Sequence, residues 1–271
     1  MRIVDAQVHI WSSGTPSINH WPVPEVTAEA MLAAMDEAGV HAAIIHPPGW
    51  DPNALAVAAA AQRAYPGRFA ILGSFPPDRP ESRDLIDTWL DQPGMLGLRW
   101  APLHPAQRAL LDSGAMDWIW PEAERANIPV ALLSGPFLPQ FRTIAERHPG
   151  LKLIIDHCGL IRLKQDEAAF ADLDTLLALA RLPNVAVKAT GAPGYSTQPY
   201  PFLNLHEGLH RIFDAFGPDR FFWGTDITRM PCTYRQCVTL FTEELPWLHG
   251  HDLERVMGGA IRDWLRWPEA L

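Results

Sequence analysis

Three cysteines, Cys158, Cys232 and Cys237, are all that the 271 residues contain, and no two form a CxxC pair. An odd number without that spacing excludes a disulfide framework and a zinc knuckle and fits a reducing compartment. Basic residues are also short: 22 Lys plus Arg against 31 Asp plus Glu give a formal charge of -9 at pH 7. With no basic stripe or tail, neither nucleic acid nor an anionic membrane is an expected partner. No stretch reaches the roughly 18 uninterrupted apolar residues of a membrane span. No basic segment followed by an apolar run precedes the first strand, so a cytoplasmic location is expected. What the chain does have is apolar material, 48% of its residues. That is enough for one large core, and residues 1–271 read as a single domain.

The opening stretch, Ile3-Val4-Asp5-Ala6-Gln7-Val8-His9-Ile10-Trp11, alternates Val4, Ala6, Val8 and Ile10 with Asp5, Gln7 and His9. In an extended strand the three polar side chains leave by one face. Gln7 and His9, followed by an aromatic, read as the floor of a site; Asp5 reads equally well as a strand-end or turn residue. The segment 11–26, rich in Ser, Gly, Pro and Trp, is long and irregular enough to act as a lid. Thr27 caps a predicted helix running to Gly39. Further helices are predicted over 53–65, 81–91, 116–126, 138–147, 167–180 and 205–216, and two more close the chain. They separate short apolar strands at 3–11, 41–46, 69–74, 95–100, 128–134, 151–157, 184–189 and 220–226. Strict alternation of this kind implies parallel strands with right-handed crossovers, and eight of them in about 250 residues predict a closed (β/α)8 TIM barrel.

In such a barrel the active site lies at the C-terminal ends of the strands. Polar residues at those ends are therefore the site candidates: Gln7 and His9, His46, Ser74, Arg99, Ser134, His157, Lys188 and Asp226, in strand order. Arg99 and Arg229 match a substrate carboxylate in two-point geometry, although Arg229 reads equally well as a surface salt bridge. Lys188, inside its strand, needs a partner: it binds substrate or supports Asp226. Trp11, Trp50, Trp100 and Tyr195 follow strands and form either pocket walls or ordinary packing. Cys158 is assigned to inert packing, because neighbouring side chains point opposite ways from His157.

Several segments, in order along the chain, resemble those of one family. Asp5-Ala6-Gln7-Val8-His9-Ile10-Trp11 is similar to the first-strand HxH motif of the amidohydrolase superfamily, with Gln7 where the first histidine stands. Ile155-Asp156-His157-Cys158-Gly159 resembles its DHxG segment, Val187-Lys188-Ala189-Thr190-Gly191 its VKxSG segment, and Trp223-Gly224-Thr225-Asp226-Ile227 its GSDxP segment. Met257-Gly258-Gly259-Ala260-Ile261 resembles its GGNA helix start, with Ala260 in place of asparagine. The resemblance is to the amidohydrolase-related branch that holds sugar lactonases, 2-pyrone-4,6-dicarboxylate lactonase and several decarboxylases.

The resemblance implies a divalent ion among two first-strand histidines, one histidine after strand five, one after strand six and an aspartate after strand eight. This chain keeps His9, His157 and Asp226 but has Gln7 and Ser134 at the other two positions. An amide oxygen and a neutral hydroxyl are poor ligands for zinc. The expectation is therefore a cofactor-free enzyme, with zinc or manganese held by His9, His157 and Asp226 as the alternative. Asp226 is then the general base, its pKa raised by desolvation, while His9, His157 and the Gln7 amide donate to the developing oxyanion. The expected reaction is hydrolysis of a lactone or cyclic ester, a small molecule bearing a carboxylate. A metal-dependent decarboxylase and a non-catalytic ligand-binding barrel remain alternatives, and monomer and homo-oligomer stay open.

Overall fold

A computed structural model describes residues 1–133 and 135–267; Ser134, the strand-five candidate, lies outside the described residues. Eight short apolar runs form parallel strands: β1 (Val4–Val8), β2 (Ala42–Ile45), β3 (Phe69–Gly73), β4 (Met95–Trp100), β5 (Val130–Leu132), β6 (Leu153–Ile155), β7 (Val185–Ala189) and β8 (Phe221–Trp223). Each pairs with the next in sequence order. The Asp226 amide donates to the Gln7 carbonyl at 2.9 Å, tying the end of β8 to β1. Gly224 permits that approach, since a Cβ there would lie 2.8 Å from the Ala6 nitrogen. The result is a single-domain (β/α)8 TIM barrel.

The crossovers are α1 (Ala28–Ala38), α2 (Ala54–Ala64), a 3-10 helix (Pro80–Asp91), α3 (Pro105–Asp112) with α4 (Ile119–Arg125), α5 (Leu138–Arg147), α6 (Leu173–Leu179) and α7 (Leu203–Phe216). After β8 come α8 (Tyr234–Thr242), α9 (Gly250–Glu254) and α10 (Ala260–Leu265). The sequence signals for α1 act as expected: the Thr27 side chain accepts from the Ala30 amide, and Gly39 ends the helix at φ 77°. Among the described residues no helix is long and apolar enough to cross a membrane.

The core has two layers. Between sheet and helices, Val8, Ile45, Phe69, Val187, Phe221 and Trp223 pack with Met35, Trp89, Phe141 and Phe241. Inside the barrel, Val4, Ala6, Ala42, Ile44, Leu72, Ala131, Ile154, Ala186 and Phe222 pack against Ala260, Ile261 and Leu265 of α10. That helix stops the barrel at the N-terminal ends of the strands, where Lys152, just before β6, donates to the Trp264 carbonyl at 2.9 Å.

Two expectations are corrected. The polar face of β1 is not continuous, because the pairing of β1 with β2 slips between Asp5 and Val8. This β-bulge inserts one residue, so Ala6 and Gln7 both turn to the lumen while Asp5 points out to Thr225 and to Tyr234 of α8. The Gln7 amide, freed from the ladder, donates to the Asp5 carboxylate at 2.9 Å. The strands also stop short of the predicted ends. Beyond β6 and β8 the chain turns at once into left-handed conformations, with φ 53° at His157, Cys158 and Asp226. Such strain in non-glycine residues is held by its surroundings and aims side chains a strand would not.

Candidate active site

The carboxylate of Asp226 lies at the barrel mouth, 1% exposed. One oxygen, Oδ1, is 3.2 Å from His9 Nε2, and the other is 3.8 Å from His157 Nε2 and 3.1 Å from Arg229 Nη1. Burial raises its pKa, but His9, Arg229 and His157 outweigh burial and hold it well below the usual carboxylate range. The expected upward shift is thus corrected: the charge and hydrogen bond of His9 when its ring is protonated, with the Arg229 guanidinium, outweigh desolvation, and Asp226 is an anion.

Tautomers decide what the two histidines offer. His9 Nδ1 sits 2.6 Å from the His46 carbonyl, which can only accept, so the proton is on Nδ1 and Nε2 presents a lone pair. His157 Nδ1 similarly meets the Thr190 carbonyl at 3.2 Å and the Thr190 hydroxyl at 2.8 Å. Burial pushes His157 down to about 3, with Asp226 and Asp156 opposing, so it is neutral. Neutral His157 faces the mouth as an acceptor, and so does His9 in its neutral form. The oxyanion-donor role expected of them requires a proton on Nε2, which the neutral rings do not carry there.

Beneath them lies a second set of polar groups. Lys188, fully buried, is 2.7 Å from Asp156 Oδ1 and donates to Gln7 Oε1 at 2.8 Å. Arg99 Nε donates to Asp156 Oδ2 at 2.8 Å. Burial raises Asp156, but Lys188 and Arg99 prevail and keep it ionised. Burial in turn pushes Lys188 down to about 8, against the pull of Asp156. With its oxygen engaged by Lys188, Gln7 turns its NH2 toward His9 Nε2, 3.4 Å away. Lys188 is therefore tied to Asp156 and Gln7 beneath the mouth. His46, buried, donates from Nε2 to the Ala6 carbonyl at 3.0 Å and holds His9 through its own carbonyl. Burial, Lys188 and Arg99 keep its pKa well below the imidazole range, so it holds His9 as a neutral ring.

The remaining candidates divide. Trp11 is 1% exposed, bonded to the Val23 carbonyl beneath the lid, and is packing rather than pocket wall. Trp100 and Ser74 line a cavity of about 410 Å³ with Phe75, Leu110 and Met116, beside the ends of β3 to β5. Tyr195 is buried and pushed up to about 12 by desolvation, so it stays a phenol. Burial likewise raises the Cys158 thiol, which packs in the core as expected.

Two residues at the mouth escaped the strand-end filter because they sit in loops. Arg162, after His157, is half-buried within the field of Arg229, Tyr195 and Asp226. His20, in the lid, has Nδ1 2.8 Å from the Thr228 hydroxyl. Its ring lies 4.7 Å from Trp50 and meets His9 edge-on at 5.2 Å. The lid is pinned by a Trp11–Val26 bridge and by the Trp21 amide donating to the Thr228 carbonyl at 2.8 Å. The sole hint in the sequence is a histidine inside an aromatic-rich loop that follows the first strand.

Ligand atoms of His9, His20 and Asp226 lie within 4.8 Å of one another. Among the described residues Asp226 Oδ1 is buried without a hydrogen bond from a fixed donor, and it faces His9 Nε2, a lone pair in the neutral ring. Two imidazoles and a carboxylate suit a divalent ion of the zinc or manganese type, and three protein ligands suffice for a catalytic site. The donor set therefore fits a metal, with His20 in the part expected of His157.

These groups gather at the C-terminal mouth of the barrel, where TIM barrels carry their active sites. The family model described as amidohydrolase matches residues 4–267, and the chain belongs to that family. A curated relative, the L-fucono-1,5-lactonase of Burkholderia ambifaria, is 30% identical over 152 residues, 55% of this chain and 44% of the relative. The match thus spans less than half of that relative's length. Among solved structures, an amidohydrolase from Burkholderia multivorans with bound zinc superposes with a TM-score of 0.83 at 19% identity, covering 99% of this chain and 100% of that one. A probable 2-pyrone-4,6-dicarboxylic acid hydrolase from Acinetobacter baumannii with citric acid bound gives a TM-score of 0.77 at 18% identity, covering 98% and 100%. At those identities the two structures bear on the fold alone.

Proposed function

We propose that the protein hydrolyses a lactone that bears a carboxylate. The observation that carries this reading is Asp226, a buried anion whose two oxygens face His9 and His157, with Arg99, Arg162 and Arg229 about the same mouth. The lactonase relative supports the substrate class.

The chain's own groups account for the proton movements. Water between Asp226 and His157 attacks the carbonyl, giving up a proton to Asp226 as the oxygen–carbon bond forms. A carboxylate held well below its usual range is a weak base, so transfer accompanies attack and does not precede it. The Gln7 NH2 and the Arg229 guanidinium donate to the carbonyl oxygen as it gains charge. When the ring carbon–oxygen bond breaks, the proton returns from Asp226, directly or through His157 Nε2, to the leaving alkoxide. Arg162, which forms no ion pair among the described residues, receives the substrate's carboxylate; Arg99 and Arg229 are held by Asp156 and Asp226. A divalent ion, when held by His9, His20 and Asp226, would supply Lewis-acid polarisation of the carbonyl or water.

Proton release in a weakly buffered assay tests the reading, with neutral sugar-acid lactones and carboxylate-bearing lactones in one panel and carbon dioxide release from aromatic acids in parallel. Saturable opening that favours the carboxylate-bearing lactones is expected. Carbon dioxide release without lactone opening would make the protein a decarboxylase, and binding without turnover would make it a ligand-binding barrel.

A further inference from the structure

We propose that His20, carried by the lid, completes a divalent-cation site with His9 and Asp226, so that metal binding and lid closure are one event. The inference deepens the hydrolytic reading of the same mouth. Its geometric root is the contact between His9 and Asp226. In neutral His9, with its proton committed to the His46 carbonyl, the Nε2 lone pair faces a carboxylate oxygen that has no hydrogen bond among the described residues, at 3.2 Å. Two acceptors at that separation repel unless a positive species lies between them. Donors bonded to one tetrahedral ion at about 2.0–2.2 Å stand at a comparable separation.

The surroundings fix the side on which the ion sits. On the lumen side the Lys188 ammonium occupies Gln7 Oε1 and approaches His46 Nε2 at 3.4 Å. A second cation is repelled there, and the one oxygen Gln7 could offer is taken. On the lid side stands His20, tethered through Nδ1 to Thr228 on the turn that carries Asp226 and backed by Trp50. A loop residue thus supplies what the first strand gave up. Residues 12–25 are then tied to the mouth by the metal as well as by the Trp21–Thr228 bond. The competing arrangement, a proton on His9 Nε2 shared with Asp226, gives His20 no part.

The test uses the full chain after dialysis against a chelator. Cobalt(II) is titrated by visible absorption and zinc by calorimetry for wild type, His20→Ala and His20→Asp. Hydrogen exchange of residues 12–25 is followed with and without zinc. The inference expects one bound ion per chain, affinity at least about tenfold weaker in His20→Ala with an altered cobalt spectrum, and partial recovery in His20→Asp, which offers a carboxylate oxygen in place of the imidazole nitrogen. It also expects zinc to slow exchange in the lid of wild type but not of His20→Ala. Equal affinity and spectra in wild type and His20→Ala would overturn it. So would failure of wild type to bind either ion in excess, which assigns the contact to a shared proton. Neither result touches the lactone assay, since turnover without metal leaves the hydrolytic reading standing.

Discussion

At the bottom of the barrel, Val4, Ala42, Ile44, Ala186 and Phe222 meet α10 with no polar side-chain atom among them. A few residues further along the same strands, Gln7, His46, Asp156 and Lys188 are just as buried. The lower half is held by packing, where each side chain contributes roughly 1.5–3 kcal/mol by leaving water and a loss is felt as a cavity. The upper half is held by pairing, where each charge is tolerated because another answers it, so one deletion strands its neighbour. Stability is thus concentrated below and chemistry above, and the two can be perturbed separately.

The largest expected effect on stability comes from below. Phe222→Ala should cost about 3–5 kcal/mol in denaturant unfolding, while the pH profile of kcat/KM stays that of wild type. A changed profile would show that the halves are coupled. Lys188→Met leaves Asp156 with Arg99 alone and should cost about 3 kcal/mol, much of which Lys188→Met with Asp156→Asn recovers. Additive losses in that double variant would refute the pairing account. Because burial brings native Lys188 down to about 8, the ammonium that holds Gln7 is lost above that pH. There kcat/KM should fall by up to about tenfold per unit, a limb absent from Lys188→Met.

The smallest effect concerns Asp5, which belongs to neither half. Burial pushes it from 3.8 up to about 6 against four donors from Thr225, Gln7 and Tyr234. Between those values the native state keeps a proton that the unfolded chain has released. The contribution of this group to stability is therefore complete below about pH 4 and is lost as pH rises to 6. Unfolding measured across that window should show the slope in wild type and not in Asp5→Asn.

The same division explains what could be read from the chain. Apolar runs such as Ala42–Ile45 and Val185–Ala189, alternating with helical stretches, determine strands, crossovers and barrel, because burial on both faces leaves a plain signature. Residues at strand ends, His9, His157 and Asp226, were reachable through the rule that barrels place chemistry there. The bulge at Ala6–Gln7 was not, since strict alternation of β1 predicts one polar face and an inserted residue leaves no mark in composition. Nor was His20: its place depends on a lid conformation set by bonds to Thr228 and packing on Trp50, all distant in sequence. Tautomers and the downward shift of Asp226 follow from carbonyls and cations that only the folded chain brings near.

The central claim is that the Asp226 carboxylate takes the proton from the attacking water, and Asp226→Asn, assayed on the lactone that wild type opens best, tests it most directly. A loss in kcat of about a thousandfold, in a variant that keeps the wild-type circular-dichroism spectrum at the assay temperature, is the predicted result. An Asp226→Asn enzyme within about tenfold of wild type would contradict the account and move the general base to His157 or elsewhere at the mouth.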